Sequence, residues 1–403
     1  MSTSILCPYP TDPRFGGVRF TGKSAAYAAA DTWYPAWDAE GQLYSPYADG
    51  IVGEHRVLCT TNKGIHDFSR DLGPGGNITT GHAVIRGDDP LALTVEALPP
   101  ATLPTPRFHG LYPSASFIHD GIWYCGSYYL HRWTDPAGRR ITYELGPFQG
   151  FRLSRNRGQT WQDCPHTDAA PLFGERGRCA GELPIRFGAP HVVDFGRNLQ
   201  HSPDGFVYLV GHGSRFAGGV ANWIAGDAAF LCRVRPSPAI VNDPAAYEFF
   251  AGCDPAGQPR WAGRVADSQP IIEWPWRCGC INVTWFPALR QYIACIAIGA
   301  ADGGGGTMDT WLAIADNLWG PWRQLAYLEA FGSQAYFTCI PSKFLSPDNR
   351  SFWMFWSANW HLPAWQNPPG SSYSLSVGEF DLMPPGKRET CVNPFWMRKA
   401  EEW

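Results

Sequence analysis

The chain has 403 residues, 44% hydrophobic and 17% charged, with a net charge of −4: enough length for a large buried core, and no basic excess to hold nucleic acid or an anionic membrane. Nineteen Trp, 44 Gly and 36 Pro spread along the whole length exclude a helical protein, and no window reaches the ~20 apolar residues of a membrane-spanning helix. What remains is a protein of short strands and tight turns.

The opening stretch, MSTSILCPYPTDPRFGG, lacks a basic region followed by an apolar core, so no signal peptide is expected. A cytoplasmic protein and a secreted one whose leader has been removed both stay open. Twelve cysteines are dispersed, and Cys125, Cys232, Cys295 and Cys339 fall inside apolar strands, as buried free thiols do. Cys278 and Cys280 have one residue between them and no second Cys or His pair at zinc spacing, so no metal is expected there. No cofactor is expected either; a structural Ca²⁺ near an axis stays open, with no ligand cluster to identify it.

In chain order the sequence repeats one unit. DTWYPAW precedes AEGQLYSPYADG; YPSASFI precedes HDGIWYCGSYY; APHVVDFG precedes PDGFVYLVGHGS; INVTWFP precedes ALRQYIACIAIGA; FTCIPSKF precedes PDNRSFWMFWSAN. Each is a strand, a polar turn and a second, aromatic-rich strand. The turns recur roughly every 80 residues, with a last interval of about 60. Third and fourth strands are read from FRLSRNRGQTWQD, FLCRVRPS, WLAIADNLWGPWRQL and YSLSVGEFDL, two of them reopening at Trp161 and Trp322. About four strands in each of five units predict an all-β, five-bladed β-propeller forming a single domain over 1–403, with blades near 25–100, 105–165, 185–240, 270–325 and 333–385. A β-sandwich with chance spacing is the competing reading, and the segments 50–108 and 215–275 are long enough to hide further strands.

In a propeller the start of each first strand and the end of each second strand meet on one face, around the mouth of the axial channel. Those positions carry Asp31 with Trp33 and Tyr34, His109 with Tyr112, Arg186 with His191, Arg277 with Asn282, Gln334 with Tyr336, and at the second-strand ends Asp49, Tyr128, His212 and Asn359. Asp31 heads a strand among aromatics, where an unpaired carboxylate is expensive to bury. Asp49 doubles as a candidate turn carboxylate. His212 stands between two glycines, which allow a ligand or a backbone to come close. His191 follows Pro190 and is also readable as a satisfied core histidine, whereas His201 and Asp204 belong to the turn at the opposite end of their hairpin. Trp33, Tyr34, Tyr112, Trp223 and Tyr336 suit sugar recognition, because aromatic faces stack on the C–H faces of sugar rings.

SRNRGQTW, Ser154 to Trp161, is similar to the Asp-box hairpin with Asn156 in place of the aspartate. Together with ADTWYPAWDAEGQLYSPYADG, GAPHVVDFG, YEFFAGCDPAGQPRW, ALRQYIAC and LWGPW, it makes residues 20 to 382 resemble five-bladed carbohydrate-active propellers, most closely a BNR/Asp-box-like group related to the domain of unknown function 4185. The resemblance implies a glycoside hydrolase acting on a plant or microbial polysaccharide, with arabinofuranose-containing glycans among its substrates. It further implies an Asp on the first strand of blade one as general base, the position of Asp31, with carboxylates from blades two and three as pKa modulator and general acid. This chain departs from that pattern: blade two offers Tyr112 and Ser114, and blade three offers His191.

The hydrolase expectation is therefore Asp31 as base or nucleophile, Glu175 as acid from the loop before blade three (Glu182 being the other choice there), and Asp49 adjusting pKa. His191 and His212 complete the catalytic set. Trp33, Tyr34, His109, Tyr112, Arg186, Trp223, Arg277, Asn282, Gln334 and Tyr336 form the sugar-binding set. Two other readings stand beside it. A polysaccharide lyase would neutralise a uronate with Arg186 or Arg277 and use His191, His212 or Tyr112 as acid and base. A noncatalytic glycan-binding propeller would need no chemistry at all. A carbohydrate is the expected partner in each case, and oligomeric state is not readable.

Overall fold

Asp120 and Gly121 both adopt left-handed backbone, φ 48° and 75°, and turn strand Gly110–His119 directly into strand Ile122–His131. An Asp-Gly pair in this geometry matches the right-handed twist of the strands it joins, so local chemistry alone folds this hairpin. In the next hairpin Asp204 accepts from the Phe206 amide at 3.2 Å, and Tyr208 and Arg233 donate to its Oδ2. Both turns recur one blade apart because the sequence repeats them.

The computed structural model describes residues 7–59, 79–102, 110–131, 144–299, 307–333, 335–357 and 373–386. They form five antiparallel sheets, the blades of a β-propeller. Blade one holds Ala29–Asp31, Leu43–Val52, Thr79–Arg86 and Thr94–Thr102, and blade two Gly110–His119, Ile122–His131 and Glu144–Ser154. Blade three runs from Gly188–Val192 through Val207–Gly213, Ala228–Val234 and Glu248–Cys253 to Pro259–Ala262. Blade four holds Ile281–Phe286, Gln291–Ile298, Thr307–Ala315 and Arg323–Ser333. Blade five holds Tyr336–Cys339, Ser351–Ser357 and Leu375–Met383.

Two departures from the sequence expectation matter. Strand Gly17–Tyr27, which the sequence reading does not pick out, belongs to blade five: it pairs antiparallel with Leu375–Met383, Tyr27 opposite Leu375 and Gly17 opposite Met383, and closes the ring. The strand expected to open on Trp161 is reduced to a single bridge between Leu153 and Gln162. Asn242, from the loop after the third strand of blade three, occupies that edge instead. Its carboxamide accepts from the Phe151 amide and donates to the Phe151 carbonyl, both at 2.9 Å, as a strand would.

The core lies between blades rather than within one. Five apolar layers fill the five junctions, for example Phe151, Phe187, Phe230 and Phe249 between blades two and three, and Trp33, Tyr47, Phe355 and Val377 between blades five and one. Each sheet is therefore buried on both faces, which is why its strands read as aromatic runs. The described cysteines are free thiols.

Candidate active site

Four of the five innermost strands break register near the mouth. The breaks fall between Ala29 and Asp31, Pro113 and Ser116, Gly188 and His191, and Tyr336 and Cys339; blade four runs regularly. Thr32, Ala189 and Phe337 sit at or beside these bulges with φ of 57°, 44° and 54°, and Asp49 opposite them has φ 39°. A bulge re-aims the side chains beyond it. Here it brings Asp31 and Asp49 together at the axial end of blade one, 4% and 2% exposed.

The neighbouring blades hold this pair with phenols. Tyr336 of blade five donates to Asp31 Oδ2, and Tyr112 of blade two donates to Asp49 Oδ2 at 2.7 Å. The Cys59 amide donates to Asp49 Oδ1 at 2.7 Å, Thr32 Oγ1 to Asp31 Oδ1 at 3.2 Å, and Tyr373 to the Asp49 carbonyl. Burial, then the charge of Asp49, pushes Asp31 well above the usual carboxylate range, against the bonds from Tyr336, Thr32 and Tyr373. Burial likewise raises Asp49 to about 6, against Tyr112 and the Cys59 amide. Both carboxyls are thus raised, and the charge of one disfavours ionisation of the other, so the pair holds on to a proton more readily than two free carboxyls would.

Beside the carboxylates lie the half-buried Trp223 and Tyr112, each packed on a buried tyrosine. Trp223 meets Tyr336 edge to face at 4.9 Å, and Tyr112 stacks on Tyr128 at 6.0 Å. Trp223 is carried by a small hairpin, Ala221–Asn222 and Ala225–Gly226, that leaves blade three and pairs with blade two. Below, an axial chamber of about 30 Å³ is lined by Tyr34, Ser116, His191, Asp194, Asn282 and Thr284. That is space for one or two water molecules, not for a sugar.

Tyr34, Asn282, Tyr336, Tyr112 and Trp223 therefore reach the axis or its mouth as expected, Asn282 with its amide donating to the Thr338 carbonyl at 3.1 Å. Other expected residues do not. Trp33 is 1% exposed in the junction of blades five and one, stacked on Tyr47 at 5.2 Å, because the left-handed Thr32 turns it away from the axis. Arg186 reaches outward to the Val265 carbonyl and to Glu175, 3.9 Å away, and Arg277 lies beside Tyr327 on the outer strand of blade four. Glu175 accepts from the amides of Arg186 and Phe187 at 3.1 Å, and burial raises it to about 7. Its charged neighbours are Arg186 and Glu182, so it serves blade three and not the Asp31–Asp49 pair.

His212 is fully buried, and its Nε2–H donates to the Asn222 carbonyl at 2.8 Å, tethering the hairpin that carries Trp223. Burial lowers it to about 4. His191, packed at 4.4 Å against Tyr34, is lowered to about 3 by burial and by His212. Both are therefore neutral at physiological pH, and His212 spends its N–H on the Asn222 carbonyl, so neither supplies the imidazolium acid that the expected catalytic roles included. His109 and Gln334 lie outside the described residues. Tyr373 and the Cys59 amide escaped sequence reading: a lone Tyr before a third strand and a backbone N–H carry no pattern.

No protein-family model matches the chain, the domain of unknown function 4185 included, and no curated protein matches it. Solved structures do. A Bacteroides ovatus protein is 14% identical at TM-score 0.47, with 89% of this chain and 86% of that chain covered. The GH43_1 enzyme of Xanthomonas citri, complexed with xylotriose, is 13% identical at TM-score 0.43, with 92% and 96% covered. A family 117 glycoside hydrolase of the marine bacterium Zobellia galactanivorans is 11% identical at TM-score 0.43, with 93% and 88% covered.

Proposed function

We propose that the protein is a glycoside hydrolase whose acid and base are Asp31 and Asp49. The observation that carries this reading is the carboxylate pair itself, buried at the axial end of blade one and held by Tyr336 and Tyr112 from the neighbouring blades. Glycosidic hydrolysis needs one carboxyl to protonate the leaving oxygen and another to activate water or attack. In this proposal Asp31, pushed well above the usual carboxylate range, is the donor and Asp49, raised to about 6, is the base. The sequence expectation has Asp31 as base or nucleophile, Asp49 adjusting pKa and Glu175 as acid.

The substrate is a carbohydrate lying on the half-buried layer of Trp223, Tyr112 and Tyr373, whose ring faces suit the C–H faces of sugars. An arabinofuranose-containing polysaccharide of plant or microbial origin is the first to test. The lyase reading loses its parts: Arg186 and Arg277 are engaged away from the pair, and burial drives the phenols of Tyr112 and Tyr336 well above the usual range, making them poor bases.

Incubation with a panel of polysaccharides, with mass analysis of the products, tests the reading. Products heavier by one water, lost in Asp31→Asn and in Asp49→Asn, support it. An unsaturated uronate product would establish a lyase, and binding without any product a noncatalytic propeller.

A further inference from the structure

The junction of blades one and two is an apolar layer of Ala36, Tyr44, Val84, Leu98, Ile118 and Trp123, with Trp161 packed against it. Two polar side chains stand inside that junction. Arg152, from strand Glu144–Ser154, is 2% exposed, and its guanidinium nitrogens have no partner besides the Cys125 thiol. His82, from strand Thr79–Arg86, is 0% exposed, and the Pro99 backbone is the partner its ring has. Trp161 joins them: the imidazole stacks on its ring at 4.3 Å, and the guanidinium carbon lies 5.5 Å from the ring centroid. The Trp161 indole N–H and the Ser127 hydroxyl are buried and unpartnered. Ser127 shares a strand face with Cys125, the cross-strand neighbour of Arg152.

Arg152, Trp161 and Ser127 can donate, whereas neutral His82 spends its one N–H on the Pro99 carbonyl, and Arg152 has no ion pair among the described residues. Asp163 acts on it only at longer range. The Cys125 thiol, pushed up to about 11 by burial, is neutral and cancels no charge. His82 is held well below its ordinary range, by burial first and Arg152 second, against a smaller pull from the Pro99 backbone, so it adds no second charge. A buried cation without a counter-charge is strongly unfavourable, and clustered unpaired donors call for an acceptor.

We propose that the junction of blades one and two holds a small inorganic anion of the halide class on Arg152, with the Trp161 indole N–H and the Ser127 hydroxyl as further donors. A monovalent acceptor cancels the single charge and takes hydrogen bonds from the donors. Arg152 and Ser127 are exposed by 2% or less, so the anion proposed is the smallest class, a monatomic ion rather than an organic acid. The site is independent of the hydrolytic reading.

The test uses the full chain dialysed into sodium gluconate and titrated with chloride at constant ionic strength. A saturable rise in melting temperature of roughly 2–5 °C is expected in the wild type and is lost in Arg152→Met. A flat response in the wild type, or a rise that Arg152→Met keeps, overturns the proposal. Should that variant not fold, crystals of the wild type grown in bromide decide. An anomalous peak within hydrogen-bonding reach of the Arg152 guanidinium supports the site, and its absence overturns it.

Discussion

Tyr336 of blade five donates its phenolic proton to Oδ2 of Asp31 of blade one, so the last junction of the ring and the more basic carboxylate form one unit. The bond favours the ionised carboxylate and opposes the burial that keeps Asp31 protonated. Tyr336→Phe keeps the packing on Trp223 and Phe337 and removes only the oxygen. The expected result is a kcat roughly 10–100-fold lower at little change in KM, with the alkaline limb of the pH profile moved upward. A limb that stays in place would show that Tyr336 does not tune Asp31.

Asp49 as base must be ionised, so activity should rise as pH passes through about 6. Asp49→Asn should lower kcat by about 10²–10⁴. Stability runs the other way. The folded pKa lies above the unfolded one, so the folded state favours the proton, and stability present at low pH is lost as pH rises from ~4 to 6. The shift corresponds to about 3 kcal/mol, and denaturant titration at pH 7.5 should find Asp49→Asn more stable by up to that amount.

His191 at about 3, His212 at about 4 and His82 well below its ordinary range are all depressed by burial. A base depressed in the folded state contributes stability above its unfolded pKa of ~6.5 and loses it as pH falls toward the folded value. His212→Gln keeps a donor for the Asn222 carbonyl but does not titrate. Between pH 6 and 4.5 its unfolding free energy should fall less steeply than that of the wild type, by about 1.4 kcal/mol per pH unit.

Trp223 lies over Tyr336 on a hairpin anchored by His212 and by the Cys280 thiol, which donates to the Trp223 carbonyl at 2.7 Å. Trp223→Ala should raise KM for a cleaved glycan about tenfold or more and change kcat less than about threefold, the pattern of lost uniform binding. A fall in kcat alone would place Trp223 in the chemistry instead.

Asn242 stands in for a missing strand at the edge of blade two. Asn242→Ala leaves the Phe151 N–H and C=O without partners, at a cost of about 1–3 kcal/mol each, and should lower the melting temperature by several degrees. Asn242→Asp keeps one bond and should fall between the two.

The hairpins were legible because their turns are local chemistry: Asp120–Gly121 and Asp204–Gly205 need no distant partner to bend. Strand Gly17–Tyr27 was not legible, because it lies outside the repeated hairpins and its partner, Leu375–Met383, is far away in the sequence. Asp31, Asp49, Tyr112 and Tyr336 were legible as mouth residues from blade position. Their roles were not, because which carboxyl holds the proton depends on burial and on phenols from neighbouring blades. Trp33 was misplaced for a third reason: strict alternation fails where Thr32 takes left-handed backbone, and one bulge reverses the facing of the next side chains along the strand.

The pairing of Gly17–Tyr27 with Leu375–Met383 has a consequence for biosynthesis. Strand Gly17–Tyr27 is made long before its partner and must wait, unpaired along that edge, until the ribosome has delivered Leu375–Met383. Circularisation is then the final event of folding, and a nascent polypeptide stalled before Leu375 presents an open sheet border that chaperones or self-association will find first.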